Sequence, residues 1–498
     1  NYLMKLYETF IEKNLKEALK EKIRIIHLGQ KNRIPKSLLK KIKNSEEKTK
    51  SFAKYFLNVA LDYGGRDEVI RAIHRAYQRN INLNNLTIEQ FNNFPLLGIP
   101  IALKDLFSTN GIKTTAGSKV LVDYIPPYDA TVVKKLKDAG TIIIGKTNLD
   151  AWAHGSSGEN SDFGSTKNPW NTEYVPGGSS SGSAAALSAN MCIASTGTDT
   201  GGSIRLPASF CNIVGLKPTY GRVSRYGIIA MSSSMDSIGH FTKTVEDSAI
   251  LLNVTAGQDK FDATTSNRQA RDYTSLLKRS IKGLKVGVPK YLKYEKQELR
   301  TVGPYEKAMQ LIKSLGAEIV PIDLPHEKYA IATYYIIQPS EVSSNLARYD
   351  GIRYGNNRST FGDEAKRRIM LGTYTLSAGY YDAYYKKAMQ VRTLIRQDFE
   401  RAFKNVNVII TLVSPTLPWK LGEKISDPLK MYLSDIFTVT ANLAGIPGLS
   451  VPAGFVDGLP VGIQILGPQF SEGLLFQIGH SYENATKEEA WRNLKPKL

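Results

Sequence analysis

Three short runs hold the residues that could do chemistry. Ser203 lies in Gly197-Thr198-Asp199-Thr200-Gly201-Gly202-Ser203-Ile204-Arg205. Ser179 lies in Pro176-Gly177-Gly178-Ser179-Ser180-Ser181-Gly182-Ser183-Ala184, and Lys104 in Gly98-Ile99-Pro100-Ile101-Ala102-Leu103-Lys104-Asp105. A serine hydroxyl attacks a carbonyl only when a base takes its proton, and an amide also needs donors for the developing oxyanion. The histidines (His27, His74, His154, His240, His326 and His480) are scattered, and none sits in a G-x-S-x-G elbow. A lysine can act as the base if its surroundings keep it neutral. Lys104 ends an apolar run that reads as a buried strand, so its amine would enter the interior. Taken alone it would read as a lysine opening a surface loop. Gly201-Gly202 lets successive N–H groups turn toward one point, so the amides of Thr200, Gly201, Gly202 and Ser203 are the candidate oxyanion donors. Ser179 could equally cap the helix that begins near Ser183. Asp199 and Arg205 read as a pair that braces the loop.

In this order and spacing the three runs resemble the amidase signature family. The resemblance implies a Ser-Ser-Lys triad that needs no metal. Ser203 would be the nucleophile, Lys104 the base, and Ser179, following a cis peptide bond, the proton relay. Ser180 and Ser181 would be helix caps or supporting donors; the family commonly has glycine where Ser181 stands. The implied fold is a large twisted mixed β-sheet covered by helices on both faces.

The resemblance runs from about Leu97 to near Gln477. It is nearest to the glutaminase subunits of tRNA-dependent amidotransferases, on Gly145-Lys146-Thr147-Asn148, residues 215–227, 343–351 and 371–385. It implies glutamine as substrate, with Arg368 on the α-carboxylate, Asp435 on the α-ammonium and Tyr334 beside them. A free amino acid calls for one cation and one carboxylate at fixed positions. It further implies partner subunits B and C in a heterotrimer, with ammonia passed on to amidate glutamyl-tRNA or aspartyl-tRNA. No cofactor is expected on this chain; ATP and Mg belong to the partner subunit, which also makes most of the tRNA contact. Two other readings stand beside this one: a stand-alone amidase acting on another small amide, and a binding scaffold without activity. Two departures are visible. His154 replaces a residue that is usually apolar, often methionine, and is expected to be a satisfied structural histidine. The segment Tyr354–Gly362 is shorter than its flanking motifs lead one to expect.

The chain has 498 residues, 42% of them hydrophobic, which suits a large enzyme domain with appendages. Alternating strand and helix patterns from about Leu97 onward argue for an α/β sheet. Residues 1–90 read as a helical N-terminal extension and 91–498 as the catalytic domain. Two cysteines, Cys192 and Cys211, read as core residues of a protein from a reducing compartment. The formal net charge of +19 could imply a polyanion such as tRNA. The lysines are spread along the chain, however, and abundant Lys, Asn, Ile and Tyr fit biased coding better. The densest basic run, Lys36–Lys43, reads as a solvated helix face. No apolar stretch approaches a membrane span, and no signal layout opens the chain. The expected location is the cytoplasm, with an organelle as the alternative.

Overall fold

The computed structural model describes residues 11, 15–28, 35–52, 55–60, 95–290, 292, 300–353 and 355–496. The chain divides into two compact units, Asn1–Gly98 and Ile99–Leu498.

The first unit holds β1 (Ile23–Leu28), α1 (Lys36–Thr49) and β2 (Tyr55–Ala60). β1 and β2 pair in parallel, with Ile23 opposite Tyr55. The expectation of a helical extension is therefore corrected. Ile23-Arg24-Ile25-Ile26 is a short β-branched run, which favours an extended chain, and parallel neighbours need a crossover such as α1. The basic run does form a helix: α1 buries Leu38 and Ile42 against Ile11 and leaves most of its lysines exposed. The apolar positions Leu6, Phe10, Val69, Ile70, Ile73 and Tyr77, whose spacing suits the helical extension expected over residues 1–90, lie outside the described residues.

The second unit is built on a ten-stranded mixed sheet. Its strands are β3 (Pro100–Lys104), β4 (Ile142–Thr147), β5 (Ala194–Asp199), β6 (Val214–Lys217), β7 (Ser237–Thr242) and β8 (Lys285–Pro289). β9 (Glu318–Ile322), β10 (Val408–Leu412), β11 (Gly448–Val456) and β12 (Leu459–Leu466) complete it. The spatial order is β4-β3-β5-β7-β6-β11-β12-β10-β8-β9. The helices are α2 (Thr131–Asp138), α3 (Ser181–Ser188), α4 (Arg205–Phe210), α5 (Val245–Thr255), α6 (Val302–Ser314) and α7 (Ala330–Leu346). They continue with α8 (Asp363–Leu376), α9 (Lys387–Ala402), α10 (Pro428–Leu433), α11 (Val439–Ala444) and α12 (Glu472–Ala485).

β3 runs parallel to both β4 and β5, so its end is enclosed on two sides. This places Lys104 in the interior, with no exposed surface. β4, whose Ile142-Ile143-Ile144 run would suit a buried strand, is instead the sheet edge, and Ile142 and Ile144 are 43% and 49% exposed. An apolar run signals an extended chain but does not say how many neighbours it has. Cys192 and Cys211 are free and buried, as expected. In the short segment, Tyr354 is outside the described residues; Asn357 caps a 3-10 turn at Arg358–Thr360, and Asn356 donates to the Lys119 carbonyl.

Candidate active site

Lys104 leaves the end of β3 and meets the start of α3 and the end of β5. Its Nζ lies 2.8 Å from Ser179 Oγ, 2.9 Å from Ser180 Oγ and 2.8 Å from Thr198 Oγ1. Burial pushes the amine down to about 7, against the opposing pull of Asp150, Asp199 and Asp236. A neutral amine has two N–H donors and one lone pair. The Ser180 hydroxyl donates to the Thr198 carbonyl and accepts from the Thr198 amide. Its remaining role toward Lys104 is to accept, so of three hydroxyls facing two N–H donors either Ser179 or Thr198 gives its proton to the lone pair, and a relay through Ser179 requires that it be Ser179. Ser180 is thus a direct lysine partner; it stands at the N-cap of α3, where its side chain makes no capping bond. The Ser181 hydroxyl pairs with Thr166, apart from the lysine.

The Gly178–Ser179 peptide is cis. A carboxylate that sequence reasoning missed packs against it. Asp150 is fully buried and accepts from the amides of Gly158 and Asn160. Burial raises its carboxyl to about 6. A Cβ on Gly178 would sit 2.0 Å from Asp150 Oδ2, so only glycine fits there. The available signal was weak: one aspartate after Thr147-Asn148-Leu149, with no partner visible in sequence.

Ser203 lies on the turn between β5 and α4 and is 7% exposed. None of the four amides from Thr200 to Ser203 donates a hydrogen bond within the described residues, whereas those of Ile204 and Arg205 go to Asp199 Oδ2. The four donors remain available to an oxyanion. Gly202 has φ +141°, and a Cβ there would sit 2.3 Å from Thr438 Oγ1. Among the described residues no hydrogen bond joins Ser179 Oγ to Ser203 Oγ; the two runs meet where the Ser180 amide donates to the Ser203 carbonyl.

The expected Asp199–Arg205 pair forms at 3.0 Å with both side chains fully buried. Burial alone would raise the Asp199 carboxyl, but Arg205, Lys217 and Asn442 bring it down to about 2. Arg205 also binds Gln464 and Asn442, tying the Ser203 turn to β12 and α11.

The three expected substrate residues come together around an aromatic stack. Tyr334 lies against Gly201, where a Cβ would sit 2.7 Å from its hydroxyl. Its neighbour Tyr335 donates to Asp435 Oδ2 at 3.1 Å and stacks on Tyr432 at 3.7 Å. Ser156 supplies a second bond to Asp435 at 2.8 Å, and burial pushes this carboxyl up to about 7. The Arg368 guanidinium lies over both the Tyr335 and Tyr432 rings and binds Glu364 and Gln338. Arg368 lines a pocket of about 460 Å³ together with Ser157, Glu364 and Tyr432. Ser203, Tyr334 and Asp435 do not line it; Thr438 ties the glycine turn before Ser203 to Asp435, bonding the carbonyls of Gly201 and Asp435. His154 corrects its expectation. It is fully buried and lines this pocket, and among the described residues neither ring nitrogen has a hydrogen-bond partner. Burial, helped by the Arg368 charge, holds it neutral.

The Amidase family model matches residues 67–476. The chain belongs to the amidase family. The A-chain component of the glutamyl-tRNA(Gln) amidotransferase from Persephonella marina is 49% identical over 96% of this chain and 97% of its own. The component of the same name from Carboxydothermus hydrogenoformans is 54% identical over 81% of this chain and 86% of its own. Among solved structures, the same component of the Thermotoga maritima glutamyl-tRNA(Gln) amidotransferase superposes with a TM-score of 0.70 at 48% identity, covering 78% of this chain and 83% of that one. Peptide amidase from Stenotrophomonas maltophilia has a TM-score of 0.67 at 31% identity, over 80% of this chain and 85% of its own. A second family, described as "Putative undecaprenyl diphosphate synthase", matches residues 1–111. That match was not anticipated from the sequence. Where the two matches overlap, residues 100–104 belong to the ten-stranded sheet, since β3 is paired on both sides within it.

Proposed function

We propose that this amidase is the glutaminase subunit of a tRNA-dependent amidotransferase and works through Lys104, Ser179 and Ser203. The observation that carries the reading is a buried lysine, lowered to about 7, bonded to Ser179 beside a serine turn with four uncommitted amides. Lys104 takes the Ser179 proton while Ser179 takes that of Ser203. The Ser203 oxygen attacks the glutamine side-chain carbonyl, and the amides of Thr200 to Ser203 hold the oxyanion. Return of the proton to the leaving nitrogen releases ammonia and leaves an ester on Ser203. Water, activated by the same relay, hydrolyses the ester to glutamate.

Arg368 and Asp435 hold the α-carboxylate and α-ammonium, and the Tyr334 ring forms the wall beside Gly201. Supporting this reading, both charges are buried on one aromatic stack, and the similar proteins bear the amidotransferase name. Subunits B and C, ATP and Mg on the partner, tRNA and a cytoplasmic setting complete the proposal. No helix among the described residues is long and apolar enough to cross a membrane. The test is ammonia release from glutamine by wild type and Ser203→Ala. Loss of turnover with an unchanged circular dichroism spectrum is expected; near-normal turnover by the folded variant refutes the triad.

A further inference from the structure

We propose that His154 reads the substrate, donating an imidazole N–H to the α-carboxylate that Arg368 holds; this rests on the glutamine reading above. The ring is fully buried and lines the pocket of about 460 Å³ together with Arg368. Its backbone is satisfied: the amide donates to the Ala151 carbonyl, and the carbonyl accepts from Asn160 Nδ2. The two ring nitrogens have no hydrogen-bond partner among the described residues. A buried polar group without a partner costs folding free energy, and one in a pocket wall is explained when a ligand completes it. Two more such groups lie at the same place. Glu159 Oε2 and Gln338 Nε2 are buried and unpartnered among the described residues. Glu159 lines the pocket, and Gln338 is bonded to Arg368 Nη1. A carboxylate such as Glu159 only accepts, and Gln338 does not line the pocket. The donor that a substrate carboxylate requires therefore comes from His154.

The charges say why a second donor is needed. Arg368 Nε and Nη1 are taken by Glu364 and Gln338, whereas Nη2 bonds no described residue. Glu364 offsets part of the Arg368 charge, so a carboxylate at Nη2 gains from another N–H beside it. The other basic groups of the pocket are engaged. Arg367 is paired with the same Glu364, and Lys424 with Ser434 and the Trp419 ring. Burial, helped by the Arg368 charge, holds His154 neutral, and a neutral imidazole keeps one N–H. Chain position agrees. His154 stands two residues before Ser156, whose hydroxyl donates to Asp435 Oδ2 at 2.8 Å. One short segment thus serves both groups assigned to the α-carbon of an amino acid. Methionine, common at this position in the family, has no N–H, so the contact is a property of this chain.

The test uses the full chain carrying Ser203→Ala, so that L-glutamine binds without turnover. Calorimetry should show His154→Met weakening glutamine roughly 10-fold or more, the worth of one hydrogen bond to a charged group. In the active chain, kcat/KM for glutamine should fall by the same factor, through KM. For L-glutaminol, whose alcohol replaces the α-carboxylate, it should fall less than about threefold, because the lost contact is absent there already. In 15N-histidine-labelled Ser203→Ala protein, the His154 ring signals, identified by their absence from His154→Met, should shift when glutamine is added. The free His154→Met protein should melt no lower than its parent, since it no longer buries unpartnered nitrogens. Parent-like glutamine affinity in His154→Met with unmoved ring signals overturns the proposal. An equal loss on glutamine and glutaminol, or a lower melting temperature, makes His154 a packing residue and overturns it too. If the folded parent binds no glutamine at all, the glutaminase reading fails and this inference falls with it.

Discussion

Moving the pH tests the lysine most directly. At pH 7.4 an ordinary lysine is neutral in only ~0.1% of molecules. A Lys104 amine at about 7 is neutral in roughly 70% of them, a gain of about 700-fold in active base. Below pH 7 the proton returns, and kcat/KM for a small uncharged amide should fall tenfold per pH unit with a midpoint near 7. Glutamine should behave differently, because Asp435 must be ionised to hold the ammonium and burial pushes it up to about 7. Two groups then titrate in the free enzyme, and the limit becomes about a hundredfold per unit. Lys104→Arg, which cannot lose its proton, should be inactive on both substrates. A flat profile, a midpoint near 10, or an active Lys104→Arg enzyme would refute the base assignment. Equal slopes for both substrates would remove Asp435 from the ammonium site.

Stability follows the same titration. The unfolded lysine keeps its proton up to its ordinary 10.5, whereas the folded one loses it near 7. Folding therefore carries the full cost below pH 7, and the cost is relieved as pH rises toward 10.5. That cost is about 5 kcal/mol. Lys104→Met removes it but takes one partner from each of three hydroxyls, at about 1 kcal/mol apiece. A dead enzyme about 2 kcal/mol more stable than wild type at pH 6 is the expected result of denaturant titration. A less stable variant would mean that burial costs this lysine little.

The remaining expectations are briefer. Arg368→Ala should lower kcat/KM for glutamine roughly 100-fold or more while sparing small uncharged amides; equal losses would make Arg368 a fold residue. Gly202→Ala places a Cβ 2.3 Å from Thr438 Oγ1 at φ +141° and should lower kcat about 100-fold or more through displaced oxyanion donors; kcat near that of wild type would remove the turn from catalysis. Asp199→Ala leaves the Arg205 charge buried alone and should cost about 3–5 kcal/mol in denaturant titration. Because its folded carboxyl sits at about 2, below the ordinary 3.8, the stability that Asp199 gives is present above pH 3.8 and lost as pH falls toward 2.

What can be read from sequence is what is local. The apolar run before Lys104 names both a strand and the direction of the lysine. Gly201-Gly202-Ser203 names a turn whose amides stay free. The Asp199–Arg205 pair spans six residues, so its closure is visible. What stays hidden is set by chain neighbours far apart in number. Asp150 matters because a carboxylate oxygen fills the space where a Gly178 side chain would be. Ser180 is a lysine partner because β5 brings the Thr198 carbonyl to its hydroxyl, and nothing in a run of serines tells a cap from a relay. β4 reads as buried in sequence and is an edge in the fold, because periodicity reports an extended apolar run and not its place in the strand order.

The first unit misleads for a related reason. Apolar spacing over residues 1–90 fits a helix as well as a short buried strand, and only pairing decides between them. The parallel β1–α1–β2 arrangement belongs to a separate compact unit. The amidase sheet begins where that unit ends, at β3, and every residue of the candidate site lies beyond this junction. The chemistry proposed here therefore draws no side chain from the first unit, and an explanation of that unit must come from something other than the catalytic turn.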